Sequence, residues 1–195
     1  MNPYLTEIVF LLDRSGSMGG LESDTIRGYN AFIEKQSTWD GKTLVTTILF
    51  DDRYEVLWDG IEAGRAKISN REYYVRGSTA LLDAVGKTIL DLSHRLSRAA
   101  DHQYPGKVIF VITTDGLENS SREFTYKKIK ALIKQQQEQC GWEFIFMGAN
   151  IDTVREADNL GICRKNAHSF EASPEGLDLM YCMVSDLIEQ KRKKE

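Results

Sequence analysis

Hydrophobic residues along this chain alternate between short continuous runs and longer stretches with helical spacing. The short runs are rich in β-branched and aromatic residues, which predicts buried strands at residues 7–12, 42–50, 107–114 and 143–148. Between them, apolar residues recur every three or four positions and predict helices at 22–37, 79–100, 123–139, 152–160 and from residue 174 onward. This alternation of strand and helix predicts a parallel sheet with right-handed crossovers.

One pair of strands departs from the parallel pattern. A polar interruption at residues 51–53 precedes alternating residues at 54–58, which predicts a hairpin and therefore an antiparallel strand. Residues 59–77 predict a loop, in which the aromatic segment 73–75 packs onto the body, and a weak strand is expected at 167–170. The predicted fold class is therefore α/β: a doubly wound, mostly parallel central sheet with one antiparallel edge strand and helices on both faces.

Length and composition narrow the picture further. At 195 residues the chain is expected to form a single domain, 1–195, since a chain of this size buries roughly 70% of its unfolded surface. The net charge of −4 gives no electrostatic footprint for nucleic acid, and the basic cluster at residues 191–194 is interpreted as a solvated helix end. Three widely spaced cysteines indicate neither a disulfide framework nor a zinc site. We interpret them as reduced thiols and therefore expect a cytoplasmic protein. No apolar stretch is long enough to span a membrane, so no membrane partner is expected.

Polar groups crowd together where the first buried strand ends. Asp13, Ser15 and Ser17 occupy alternate positions, and Gly16 lets the chain bend between them. Oxygen donors with a single carboxylate suit a hard cation such as Mg²⁺ better than Zn²⁺. The alternative is that these residues only cap a helix or form a turn, since Asp and Ser commonly do so.

The predicted topology brings two further polar segments to the same edge of the sheet. Thr79 lies at the start of the second predicted helix, where Ser78 or Thr79 is a natural N-cap, and Asp115 follows the strand at 107–114. If that strand lies beside the first, the winding order reverses between them, and ligand sites form outside the carboxyl ends at such a point. We therefore expect Asp13, Asp115 and three hydroxyl groups to share one site.

These three segments carry a resemblance to a known family. The stretches 13–17 (Asp-Arg-Ser-Gly-Ser), 77–81 (Gly-Ser-Thr-Ala-Leu) and 114–116 (Thr-Asp-Gly) resemble the metal-ion-dependent adhesion site of von Willebrand factor type A domains, also found in integrin inserted domains. The resemblance covers nearly the whole chain in the order of its elements. Ser78 departs from it, because many members carry glycine there.

The resemblance implies roles for the individual site residues. It implies that the hydroxyls of Ser15, Ser17 and Thr79 bind the metal directly, whereas Asp13 and Asp115 act chiefly through metal-bound waters. The expected cation is Mg²⁺, with Mn²⁺ or Ca²⁺ as alternatives. The expected function is a non-enzymatic, cation-dependent protein-binding module, in which an Asp or Glu of a partner protein completes the metal coordination. Arg14, between the ligands, is expected to face solvent.

Two other functions stay open at this point. A metal-dependent hydrolase or phosphotransferase would use Asp13 as nucleophile or the metal as Lewis acid, but the sequence has no P-loop and no nucleophile elbow, and His94, His102 and His168 lie away from the motif segments. A structural domain would instead interact without metal, through the loop at 59–77 and its nearby aromatic residues.

Overall fold

The computed structural model describes residues 1–193, which form a central sheet with helices on both faces. The strands are β1 (Asn2–Asp13), β2 (Lys42–Phe50), β3 (Tyr54–Glu62), β4 (Pro105–Thr114), β5 (Glu143–Gly148) and β6 (Ala167–Ser169). The helices are α1 (Glu22–Ser37), α2 (Leu81–Leu96), α3 (Tyr126–Cys140), α4 (Thr153–Leu160) and α5 (Pro174–Arg192). The predicted α/β class is confirmed.

The sheet has the strand order β3-β2-β1-β4-β5-β6. Every neighbouring pair is parallel except β2 and β3, so β3 is the antiparallel edge strand that the hairpin pattern predicts. Since β1 lies between β2 and β4, the winding order reverses at its carboxyl end, where a crevice is expected.

Alternation along β1 explains the two hydrophobic cores. Val9 and Leu11 pack on one side of the sheet with residues of α2, α3 and α4. Ile8, Phe10 and Leu12 pack on the other side with α1 and α5. Because side chains point to opposite faces at successive positions, an uninterrupted apolar run is required where both faces are covered.

Several predicted boundaries are wrong. β1 begins at Asn2 rather than residue 7, and β3 continues to Glu62 rather than ending at 58. Helix α2 spans Leu81–Leu96 rather than 79–100, and α3 begins at Tyr126 rather than 123. The late start of α3 has a physical cause: the backbone N–H groups of residues 122–124 donate to the Asp83 carboxylate on α2, at 2.9–3.0 Å, instead of entering a helix.

The basic cluster at the chain end is less solvated than its sequence suggests. Lys191 is only 5% exposed and forms an ion pair with Glu143. Arg192 donates to the side chains of Gln36 and Thr43, at 3.1 and 3.0 Å. The interpretation as a solvated helix end is therefore wrong for these two residues, and Lys194 lies outside the described residues.

The state of the cysteines and the hydropathy of the helices complete the description of the fold. Cys140, Cys163 and Cys182 are free thiols. Within residues 1–193, the helices lack the combination of length and hydropathy that crossing a bilayer requires.

Candidate metal centre

Five polar side chains gather at the carboxyl ends of β1 and β4, and they are those that the sequence singled out. The register pairs Leu12 of β1 with Thr113 of β4, so the residues that follow each strand are neighbours. Asp13 ends β1 and Asp115 directly follows β4, whereas Thr79 precedes α2. Ser15 and Ser17 lie in the turn after β1.

Asp13 is buried and held by two hydrogen bonds. Its Oδ1 accepts from the backbone N–H of Ser15 at 2.7 Å, and its Oδ2 accepts from the Thr114 hydroxyl at 2.7 Å. The side chain is 1% exposed. The turn interpretation is thus correct for Asp13, which shapes the chain after β1. Ser15 also lies in this turn, directly before the 3₁₀ turn at Gly16–Met18, but its side chain makes no capping hydrogen bond, so the capping interpretation is wrong for Ser15.

The two serines connect the turn to the other carboxylate. Ser15 Oγ and Ser17 Oγ lie 3.2 Å apart, and Ser17 Oγ donates to Asp115 Oδ1 at 2.6 Å. The second oxygen, Asp115 Oδ2, is buried without a hydrogen-bond partner. Because the Ser17 hydroxyl donates to Asp115, the Ser15 hydroxyl must donate to Ser17 Oγ. This leaves one lone pair on Ser17 and two on Ser15 to face an electron-poor ligand.

Thr79 reaches the same place from the opposite side, beside Gly116. A Cβ atom added to Gly116 would lie 3.5 Å from both Ser17 Oγ and Thr79 Oγ1. The two hydroxyls therefore border one small space that any larger residue at position 116 would enter. This space opens to solvent past Ser17, which is exposed, whereas Thr79 is 3% exposed.

The prediction that Ser78 or Thr79 caps α2 is wrong. Ala80 is the N-cap residue, and its side chain makes no capping hydrogen bond. The loop after β4 caps the helix instead: Glu118 Oε2 accepts from Leu82 N at 2.9 Å, and Ser121 Oγ accepts from Asp83 N at 3.0 Å. Capping from the neighbouring loop frees the Thr79 hydroxyl from the helix.

The same loop also holds the backbone of Thr79. Asn119 Oδ1 accepts from Thr79 N at 2.9 Å, and the N–H groups of Asn119 and Ser120 donate to Thr79 O at 3.0 and 3.2 Å. Asn119 and Glu118 thus fix the position of Thr79 relative to Asp115. Sequence reasoning missed both, because single polar residues in a loop carry no periodic signal.

Electrostatics mark the two carboxylates as destabilised in their charged form. Burial raises the pKa of Asp13 from 3.8 to about 6, opposed by the hydrogen bonds from Thr114 and Ser15 and assisted by the nearby Asp115. Burial also raises the pKa of Asp115, opposed by the hydrogen bond from Ser17. Among residues 1–193, no Lys, Arg or His forms an ion pair with either carboxylate. Their charge is therefore not balanced by a neighbouring side chain.

These observations fit a hard divalent cation. The donors are all oxygens, one carboxylate oxygen has no partner, and Gly116 leaves room beside two hydroxyls. Within the described chain, no group of three or more His, Cys, Asp or Glu residues is placed to hold a metal. A site built on two carboxylates and three hydroxyls falls outside such groups. Its neutral hydroxyl donors would neutralise less of the cation's charge than carboxylates in their place, and more of that charge would act on a further ligand.

Arg14 contradicts the expectation that it faces solvent. Its side chain is fully buried, and Nε donates to Asp51 Oδ2 at 2.8 Å while Nη2 donates to Glu55 Oε2 at 2.7 Å. Arg76 shares Asp51 Oδ2 at 2.6 Å, and both guanidinium groups lie 5.3 Å from the ring centre of Tyr74. Asp51 accepts from both arginines, so its pKa is lowered even though burial acts in the opposite direction.

This ion-pair cluster fastens the segment before Thr79 to the turn after β1. Arg76 N donates to Arg14 O at 2.9 Å, and Gly16 N donates to Gly77 O at 3.1 Å. Gly77 has a positive φ of 68°, and a Cβ there would come within 2.3 Å of Asp52 Oδ1, so glycine is required. The expected packing of the aromatic segment is confirmed for Tyr73, which is 1% exposed and donates to Asp13 O at 2.7 Å.

Comparison with known proteins identifies the fold. No family model matches the sequence, and no curated protein matches it. Solved structures do match: the von Willebrand factor type A domain of the type V pilus tip protein Mfa5 from Porphyromonas gingivalis superposes with a TM-score of 0.66 at 12% identity, covering 97% of each chain. The protein described here therefore has the von Willebrand factor type A fold.

Two other similar structures carry metal. Proximal thread matrix protein 1 from the mussel byssus, with a zinc-occupied metal-ion-dependent adhesion site, has a TM-score of 0.63 at 16% identity, covering 94% of this chain and 45% of its own. The manganese-loaded TRAP protein of Plasmodium vivax has a TM-score of 0.57 at 18% identity, covering 76% of this chain and 59% of its own. This chain thus spans about half the length of the mussel protein.

Proposed function

We propose that this protein is a cation-dependent protein-binding module, in which a divalent metal is bound by Ser15, Ser17 and Thr79 and completed by a carboxylate of a partner protein. The observation that carries the proposal is the meeting of these three hydroxyls with Asp13 and Asp115 around the space beside Gly116.

The arrangement supports separate roles for hydroxyls and carboxylates. Asp115 accepts a hydrogen bond from the Ser17 hydroxyl, and Asp13 holds the turn that carries Ser15, so each carboxylate orients a hydroxyl ligand. A bound cation would supply a strong, open electrophilic position for an incoming anion, since three of the donors are neutral. Mg²⁺ is the proposed cation, with Mn²⁺ or Ca²⁺ as alternatives; zinc and manganese occupy the two metal-bearing neighbours.

A binding role is also the function that the described residues support best. The similar structures include a pilus tip protein and a byssus matrix protein. The three histidines lie in the last turn of α2, before β4 and on β6, and none forms a hydrogen bond with the five site residues. Within residues 1–193, the cluster thus has no histidine that would serve as a general base.

Isothermal titration with MgCl₂ tests the site itself. Thr79→Val removes one ligand oxygen from a side chain of the same shape, and we expect Mg²⁺ affinity to fall at least about tenfold. Thr88→Val is the matched control: Thr88 is also a buried threonine of this region, but its hydroxyl donates to Ala84 O within α2. Equal Mg²⁺ affinity in the wild type and Thr79→Val would exclude the proposed ligand set.

A further inference from the structure

A polar cavity of about 410 Å³ adjoins the metal centre. We call it the side cavity; the turn at 52–54, the start of α2 and the loop at 120–123 line it. Ser78 and Ala80 both border it, and they are the covalent neighbours of Thr79. The side cavity therefore begins one residue from a proposed metal ligand.

Three of the six charged side chains that line the side cavity already have close partners. Both oxygens of Asp83 accept hydrogen bonds from the backbone N–H groups of residues 122–124. Lys87 Nζ lies 2.7 Å from Glu123 Oε1 and also faces the Tyr54 ring, 5.9 Å from its centre. These groups form the walls and have little capacity to bind a further ion.

Two arginines are the exception. Arg53 and Arg122 are exposed, and neither guanidinium forms an ion pair or a hydrogen bond with another described residue. One carboxylate of the lining, Asp52, is also without an ion pair among the described residues, and its Oδ1 lies against Gly77. The charged side chains of the lining are three cations and three anions, and Arg53 and Arg122 are the two cations among them without an ion pair to a described residue.

We propose that the side cavity binds a second carboxylate of the partner segment, through Arg53 and Arg122, while the first completes the metal. This rests on the proposed function and adds the chemistry of the partner: an acidic peptide rather than one with a lone acid. A guanidinium fork matches a carboxylate in shape and charge. Alternate residues of an extended peptide lie about 7 Å apart on one face, which suits a cavity beginning next to Thr79.

Two acetylated and amidated peptides test the proposal by NMR titration of the ¹⁵N-labelled protein in Mg²⁺. One has the sequence Asp-Gly-Asp-Gly-Asp, which offers a flanking acid in either chain direction, and the other is Asn-Gly-Asp-Gly-Asn. The amide of Gly116, beside two proposed ligands, reports the central carboxylate. We expect the peptide with three aspartates to bind the wild type roughly threefold to tenfold more tightly than the peptide with one, which is the gain expected when one exposed carboxylate pairs with the two arginines.

The double variant Arg53→Gln/Arg122→Gln should lose that preference and keep the wild-type affinity for Mg²⁺. The control Arg98→Gln/Arg164→Gln has the same net charge and removes exposed arginines outside the side cavity, so it should keep the preference. Loss of the preference in both double variants would mean that only net charge matters, and the side cavity would be excluded.

The outcomes separate this proposal from the function on which it rests. If the wild type binds both peptides equally and only with Mg²⁺, the second subsite is wrong and the metal-dependent function stands. If neither peptide shifts the Gly116 amide in Mg²⁺, the proposed function itself is contradicted.

Discussion

Replacing Asp13 by asparagine should stabilise the protein when divalent cations are removed by EDTA. Folding raises the pKa of this buried carboxyl from 3.8 to about 6, and each pKa unit corresponds to about 1.4 kcal/mol. The ionised carboxylate therefore costs about 3 kcal/mol at neutral pH. In Asp13→Asn, the new side chain keeps an oxygen for Ser15 N–H, and its amide can donate to Thr114 Oγ1, whose own proton can turn to Gly116 O at 3.0 Å.

The sign of the pH dependence follows from the raised pKa. Between about pH 4 and 6 the folded wild type binds more protons than the unfolded chain, so the Asp13 contribution to stability falls as the pH rises through that window. The asparagine of the variant does not titrate. The variant should accordingly match the wild type near pH 4 and exceed it by about 1–3 kcal/mol at pH 7.5, part of the gain being lost to imperfect amide geometry.

Urea denaturation in EDTA at several pH values measures this difference. Adding MgCl₂ supplies the second half of the test, since a ligand at a hundred times its Kd stabilises the folded state by about 2.7 kcal/mol and the variant should gain little. A variant equal to or less stable than the wild type at pH 7.5 in EDTA, or a gain that does not depend on pH, would refute the reasoning about the buried charge.

Two further substitutions probe the surroundings of the site. Gly116→Ala places a methyl group 3.5 Å from Ser17 Oγ and Thr79 Oγ1, which is an ordinary contact distance, so the unfolding free energy should change by less than about 1 kcal/mol. The methyl group would occupy the space proposed for the cation, and the Mg²⁺ affinity measured by calorimetry should fall at least about tenfold. Unchanged affinity would contradict the proposed position of the cation. Arg14→Met removes a buried partner of Asp51 and should lower the unfolding free energy by about 3–5 kcal/mol in urea denaturation, whereas a loss below about 1 kcal/mol would show that Arg76 alone satisfies Asp51.

The sequence predicts the sheet well because burial on two faces leaves a plain signal. Continuous apolar runs locate β2 and β5 to the residue, and the polar interruption at 51–53 locates the antiparallel edge. The position of the site at the carboxyl ends of β1 and β4 follows from the same pattern, because the carboxyl ends of parallel strands lie at the same edge of the sheet. The metal assignment of the five residues stays a prediction.

What the sequence does not predict is how side chains from distant segments pair. Arginine is rarely buried, which favours solvent for Arg14, yet Asp51 and Glu55 on the neighbouring hairpin supply its partners. Thr79 is a natural cap for its own helix, yet Glu118 and a serine from the loop after β4 cap it instead. Both errors arise because propensity describes local preference, and a tertiary contact that satisfies the same group overrides it.

The site joins residues that lie far apart along the chain, and this separation affects the order in which the protein folds. The hydrogen bond from Ser17 to Asp115 joins positions 98 residues apart, and it forms only when β4 docks beside β1. Contacts of such long range close late, because loop entropy must be lost before they contribute. We predict that a cation held there meets its complete ligand set only after the barrier to folding is passed, because that set needs β1, β4 and the segment before α2 in place together. It would therefore lengthen the lifetime of the folded protein by slowing its unfolding, with little effect on how fast the chain folds.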